Sequence, residues 1–318
     1  MSEITRVWIV GGGAVGSVLA ALLTRAVAGR GPADGRWAAV TLIGTREHWR
    51  AVREDGLAFD SGLPPGTRVP LATADPEAAP IFGREDLVVL AGKLPQLAEA
   101  AGWLRGRLRA EAHLLSLQNG LGIDERVTAL LGHATERGLV YFGAHVPAPG
   151  RVRYFPGRIR FRAGPAAARL SELLGDEVAC EIAPDFRAAE WEKLAVNCLA
   201  NPLAAILGTR NDALGDARLD PVKEAILAEV RAAAQSEGVR LTLTVAHFNA
   251  YITGATGGNI PSLAIDLARG RTTEIDFLNG AVVRIGRERG LAVGVNASIS
   301  AMIEFLTRRA QRQAPTGP

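Results

Sequence analysis

Lysine is nearly absent from this chain of 318 residues: Lys93, Lys193 and Lys223 are the full set, so 33 of the 36 basic residues are arginine. Arginine serves wherever a generic positive charge would do, which turns each lysine into a chemical question. A compact ammonium can give up its proton, whereas a guanidinium with a pKa above about 12 does so poorly. Cysteine is scarce too, with Cys180 and Cys198 alone, and Cys198 falls in an apolar segment, which argues against a disulfide framework. The five histidines, His48, His113, His133, His145 and His247, show no paired ligand spacing, so no metal site is expected. No apolar run approaches the roughly 20 residues that span a bilayer, and the N-terminal MSEITRVWIV enters a strand pattern without a signal peptide. A cytoplasmic protein with no membrane partner is expected. The net charge is only +3, with acidic and basic residues interleaved, which makes nucleic acid a poor partner.

The composition that remains, 48% hydrophobic and 22% charged, is that of a globular chain long enough for two domains. TRVWIVGGGAVGSVLAALLTRA reads as an apolar strand, a glycine turn and an apolar helix. Strands at 38–44, 86–92 and 113–118 follow, with a helix from Pro95 to Arg109, and this alternation predicts a parallel sheet covered on both faces. GLAFDSGLPPGTRVPLA reads as a loop region, while the Pro-Gly turns after Gly138 suggest short antiparallel strands, then a helix at 166–174 and a strand at 177–183. From Asp185 the pattern is almost wholly helical, broken at Gly208, Gly238, 253–262 and Gly270. The expected fold is α/β, a Rossmann-type dinucleotide-binding domain over 1–184 followed by an all-helical domain over 185–318.

Gly11-Gly12-Gly13-Ala14-Val15-Gly16 fits G-x-G-x-x-G between a strand and a helix. Gly11 permits the tight turn, Gly13 lets backbone approach a pyrophosphate, and Gly16 allows close packing, while the helix N-terminus offers amide donors and a positive dipole end. NAD would call for a carboxylate at the end of the second strand, but that place reads Gly44-Thr45-Arg46. Threonine and arginine there suit the extra phosphate of NADP. Lys93 and Asn119 follow the next two strands, at the carboxyl ends where open α/β sheets bind ligands.

The segment WEKLAVNCLANPLAA, 191–205, poses a separate problem. Its Trp191, Leu194, Ala195, Cys198, Leu199 and Leu203 demand burial, yet Lys193, Asn197 and Asn201 fall at i, i+4 and i+8 and line one stripe of the same helix. Buried polar groups are costly without partners, so the stripe faces either water or a ligand. Asn201 precedes Pro202, which removes a backbone donor and allows a kink.

GGGAVGS, LAGKLPQ, SLQNGLG, WEKLAVNCLANPLAA and RTTEIDFLNG, in that order, resemble the ketopantoate reductases (2-dehydropantoate 2-reductases) over nearly the whole chain. The resemblance implies an NADPH-binding α/β domain, a helical domain, and a 2-keto acid held between them with no metal. It makes Lys193 the catalytic lysine, with Glu274 beside it and beside the nicotinamide ribose. Lys93 and Asn119 would contact the cofactor, and Asn119, Asn197, Asn201 and Ser262 the substrate. Thr45 stands where that family has an arginine, with Arg46 one place later; Pro261-Ser262-Leu263 and Gly294 also depart from its pattern. A relative acting on another keto or imino substrate and a non-catalytic NADPH sensor are the alternatives. The helical part has enough apolar surface for a homodimer.

Overall fold

The computed structural model describes residues 4–31, 34–35, 37–44, 47–60, 67–254 and 258–313, and the chain divides into two compact units, Met1–Pro184 and Asp185–Pro318. The strands of the first unit are β1 (Arg6–Val10), β2 (Ala39–Ile43), β3 (Leu57–Asp60), β4 (Arg68–Val69), β5 (Ala72–Ala74), β6 (Asp86–Leu90), β7 (His113–Ser116), β8 (Glu136–Val140), β9 (Gly143–Ala148), β10 (Arg151–Phe155), β11 (Arg158–Phe161) and β12 (Ala179–Ile182). Its helices are α1 (Ala14–Ala26), α2 (Glu47–Asp55), α3 (Leu97–Leu104), α4 (Ile123–Leu131) and α5 (Pro165–Leu174).

The larger sheet has the order β12-β11-β8-β7-β6-β1-β2-β5. It is parallel from β5 to β8, with β11 antiparallel to β8 and β12 parallel to β11. From β1 the chain moves to β2 on one side and later to β6 on the other, so the strand order reverses beside β1, the place where doubly wound sheets open a crevice. Asp86 ties these central strands together. Burial favours protonation of its carboxyl, but donors from Arg6, the Gly83 amide and the Trp8 indole outweigh it and hold the group below the ordinary carboxylate range.

The region read as a loop at 56–72 instead supplies three strands. β3 and β4 join β9 and β10 in a second sheet of order β4-β3-β10-β9, and β5 becomes an edge of the first. β3 pairs in parallel with β10, some ninety residues away, a long-range pairing that a local alternation pattern cannot announce. α1 packs against β1 and β2 on one side and β3, β9 and β10 on the other. Its residues Gly16 to Leu23 are all buried, which is why its sequence is apolar all round. α3 ends at Leu104, short of the expected Arg109, because Gly106 takes φ +80 and Leu108 bridges to Phe82.

In the second unit the helices are α6 (Phe186–Leu207), α7 (Asp220–Ser236), α8 (Val245–Thr253), α9 (Ser262–Ala268), α10 (Asn279–Glu288) and α11 (Gly294–Gln313). The Asp185 carboxylate accepts from the Ala188 amide to cap α6, and Gly208, at φ 63, closes it. α6 packs against α7, α9 and α11. Pro202 does not end α6, which continues to Leu207. The Cys198 carbonyl, which a residue-202 N–H would have bonded, instead accepts from Nδ2 of buried Asn279 at 3.2 Å. Among the described residues no helix is long and apolar enough to cross a membrane.

Candidate functional site

In the first unit the loops after β1, β6 and β7 meet. Gly11 takes φ +117, and a Cβ there would lie 2.4 Å from the Gly92 nitrogen; one at Gly16 would lie 2.1 Å from the Gly11 oxygen. Both positions are closed to any side chain. Gly13 differs: it precedes α1 in extended geometry with nothing within 4 Å of its absent Cβ. No side chain caps α1 and no acidic residue sits in its first turn. The open side of this loop therefore presents backbone and a positive dipole end to whatever approaches. Trp49 lies against Gly12 and Gly44 and donates from Nε1 to the Leu42 carbonyl, fixing the end of β2 beside the loop.

Lys93, half-buried, caps the short turn Leu94–Gln96 after β6. Half-buried Asn119 lies between Gln118 and Gly120 in the loop after β7. The Gln118 side chain donates to the Gly92 carbonyl at 2.8 Å, and Leu94 fills the space beside Gly120, so these two loops are locked to each other and, through Gly92, to the glycine turn. Arg137 completes the lock. Fully buried on β8, it donates to the carbonyls of Ser116, Gln118 and Gly120 and to the Ser116 hydroxyl at 3.0 to 3.3 Å.

In the second unit α6 shows what its sequence promised. Trp191, Leu194, Ala195, Cys198 and Leu199 are buried, while Lys193, Asn197 and Asn201 are each only half-buried. Exposed Ser262 opens α9, which packs on α6, and half-buried Glu274 precedes the turn Ile275–Phe277. Burial pushes the Cys180 thiol up to about 11, and full burial raises that of Cys198 as well, so neither is a ready nucleophile. Among the described residues, no three His, Cys, Asp or Glu side chains group to hold a metal ion.

With this geometry in view, comparison with known proteins is direct. Residues 7–166 match Ketopantoate reductase PanE/ApbA, and residues 185–307 match Ketopantoate reductase PanE/ApbA C terminal. The chain belongs to the ketopantoate reductase PanE/ApbA family. The 2-dehydropantoate 2-reductase of Halobacterium salinarum is 33% identical over 324 residues, 95% of this chain and 99% of that protein. That of Vibrio cholerae is 32% identical over 230 residues, 70% of this chain and 77% of that protein. The PanE/ApbA family ketopantoate reductase of Ralstonia eutropha JMP134 superposes with a TM-score of 0.82 at 30% identity, over 96% of this chain and 100% of that one. The Rossmann-type first unit and helical second unit are thus those of a ketopantoate reductase-type oxidoreductase.

Of the residues singled out from the sequence, Gly11 to Gly16, Lys93 and Asn119 come together at the carboxyl ends of adjacent strands. Lys193, Asn197 and Asn201 share one face of α6, with Ser262 on the helix packed beside it. Thr45 and Arg46 lie outside the described residues. Sequence reading missed Gln118, Arg137 and Asn279, which hold backbone in place. Gln118 and Asn279 stood within the motifs quoted, but Arg137 had no local signal, since the partners named for it lie seventeen and more residues away.

Proposed function

We propose that this chain reduces a 2-keto acid, 2-dehydropantoate first among them, with NADPH as reductant and Lys193 as proton donor. The observation that carries the reading is the half-buried Lys193-Asn197-Asn201 stripe on a helix whose other residues at 191–199 are largely buried. A polar stripe maintained on such a helix fits a ligand better than bulk water alone.

The glycine loop fits a dinucleotide: open backbone at Gly13, an α1 N-terminus without a side-chain cap, and Gly11 and Gly16 too crowded for any other residue. Gly11, Gly12, Gly13, Ala14, Val15 and Gly16 would hold the pyrophosphate, Lys93 and Asn119 the ribose and nicotinamide side, and Thr45 and Arg46 the extra phosphate of NADP. When bound, the cofactor supplies hydride. Lys193 would place its ammonium at the keto oxygen, stabilise the charge that grows there and release a proton to it. Glu274 would orient that ammonium, and Asn197, Asn201 and Ser262 would hold the substrate hydroxyl and carboxylate.

The test is NADPH oxidation by purified protein against a panel of 2-keto acids. Lys193→Ala should lower kcat by about 10²- to 10⁴-fold, and Lys193→Arg should not restore it, because guanidinium keeps the charge and withholds the proton. Turnover indifferent to Lys193→Ala would sink the mechanism. Equal rates on 2-dehydropantoate and unrelated keto acids would move the substrate elsewhere, and NADH used as well as NADPH would remove the role given to Arg46.

A further inference from the structure

Fastening one loop to another needs hydrogen-bond donors but no charge, yet the side chain at 137 is a fully buried cation. A guanidinium keeps its proton in the interior, and taking it out of water is expensive. The ladder between β7 and β8 ends at the pair Ser116 and Arg137. Past that pair the guanidinium takes over from the strand. Nη1 donates to the carbonyls of Ser116 at 3.3 Å and Gln118 at 3.0 Å, and Nη2 to that of Gly120 at 3.2 Å. These three oxygens belong to alternate residues.

A trans peptide is planar and sets its N–H opposite its C=O, so the amides of Leu117, Asn119 and Leu121 are turned away from the cation. The Leu117 amide donates to the Leu90 carbonyl at 2.9 Å. β6 ends at Leu90, so no strand runs on beside the next two amides. Among the described residues neither the Asn119 nor the Leu121 amide has an acceptor, and both residues are half-buried. The Gln118 side chain ties their loop to Gly92, against which Gly11 is packed, so these amides stand next to the glycine turn. A cation bonded to a peptide oxygen polarises the whole peptide group and strengthens its N–H as a donor.

We propose, on the reading that this crevice binds a nicotinamide dinucleotide, that Arg137 is a positioning residue for the nicotinamide half of the cofactor. It presents the Asn119 and Leu121 amides, strengthened as donors, to an electron-rich oxygen of that half, and it holds Asn119 in one place. Fully buried, Arg137 acts through the loop and not by contact with the cofactor. The adenosine half lies outside its influence.

Equilibrium binding to the full chain tests this, with NADPH and with 2′-phospho-ADP-ribose, which is NADP without its nicotinamide. NADH and ADP-ribose are run alongside, so the choice of dinucleotide does not decide the outcome. Arg137→Met should weaken the dinucleotide by at least about tenfold and remove most of the rise in nicotinamide fluorescence that accompanies binding, while affinity for the ribose fragment stays within about twofold. A variant that had only lost stability would lose both ligands alike. Arg137→Lys keeps the charge but not the planar fork, and should bind the dinucleotide more tightly than Arg137→Met and at least about threefold more weakly than the parent. It carries the test if circular dichroism shows Arg137→Met unfolded. Unchanged dinucleotide affinity in the folded variants, a loss shared equally by dinucleotide and fragment, or an Arg137→Lys no tighter than a folded Arg137→Met would each overturn the role given to Arg137. A parent that binds neither dinucleotide would overturn the cofactor reading itself, and this role with it.

Discussion

The two units present their functional groups in opposite ways. In the first, the groups around the crevice are largely backbone: amides at the start of α1, positions closed to every residue but glycine, and loops pinned by Gln118 and Arg137 through carbonyl oxygens. In the second, the candidate groups are side chains set on regular helix, Lys193, Asn197 and Asn201, with the backbone behind them fully engaged. A backbone site demands glycines at fixed intervals and tolerates little else, whereas a side-chain site demands only that one stripe break the apolar pattern. The same contrast divides the lysines. Lys223 is fully buried, and its ammonium donates to the Leu214 and Asp216 carbonyls and to Asn249 Oδ1, and pairs with Asp220 at 2.7 Å. Lysine is kept there because a compact, multiply bonded cation fits where a planar fork would not. Scarcity of lysine therefore has two answers in this chain, and only the half-buried Lys193 and Lys93 are left for chemistry.

Breaking the backbone side of this comparison should give the largest effect. Gly16→Ala forces a methyl to 2.1 Å from the Gly11 oxygen, and overpacking of that kind destabilises by about 1–3 kcal/mol or more. Melting temperature and NADPH affinity should fall together. Gly13→Ala meets nothing within 4 Å, so its melting temperature should match the parent while NADPH binding weakens by about tenfold, or roughly 1.4 kcal/mol. Unchanged binding in Gly13→Ala, measured by titration, would show that this loop does not cradle the pyrophosphate.

A middle-sized effect tests the helical side. Asn279→Ala removes the donor to the Cys198 carbonyl and the link from Asn279 Nδ2 to Asn296 Oδ1 at 2.9 Å, and an orphaned buried group costs about 1–3 kcal/mol. Pro202→Ala returns the N–H that α6 lacks. Urea unfolding of both single variants and the double should therefore give a coupling of about 0.5–3 kcal/mol, with Asn279→Ala milder in the Pro202→Ala background. Strict additivity would mean that the asparagine does not stand in for the missing donor.

These two cases also mark what was legible from sequence. The parallel sheet, the glycine loop and the α6 stripe were open to reading because each is written in a local period: strand, turn and helix, or three polar residues four apart. Of the second sheet, β9 and β10 fall in the stretch read as short antiparallel strands and pair that way. β3 escaped because it is short, flanked by turn-forming residues, and pairs with β10 across a distance no local pattern records. Arg137 escaped for a related reason: a lone arginine in an arginine-rich chain says nothing until the fold sets it behind the loop that carries Asn119. Asn279 stood in a quoted motif, but its role depends on a proline in α6, four helices earlier in the chain.

The smallest effect distinguishes the units by pH. Burial holds His48 below the usual histidine value, although a backbone contact at Ala148 opposes this. Its Nδ1 accepts from the Gly150 amide, which leaves Nε2 to carry the proton and donate to Ser17 of α1 at 3.1 Å. A group whose folded pKa is depressed is protonated first in the unfolded chain. Its contribution is complete above the unfolded value near 6.5 and is lost as pH falls from there toward the lower folded value, at no more than about 1.4 kcal/mol per pH unit. The second unit has one histidine, His247, and it is exposed. Amide exchange compared at pH 7.5 and 5.5 should show α1 and β9 opening more readily at the lower pH relative to α6 and α7. The excess should vanish in His48→Gln. An equal change in both units would place the sensitivity elsewhere than His48.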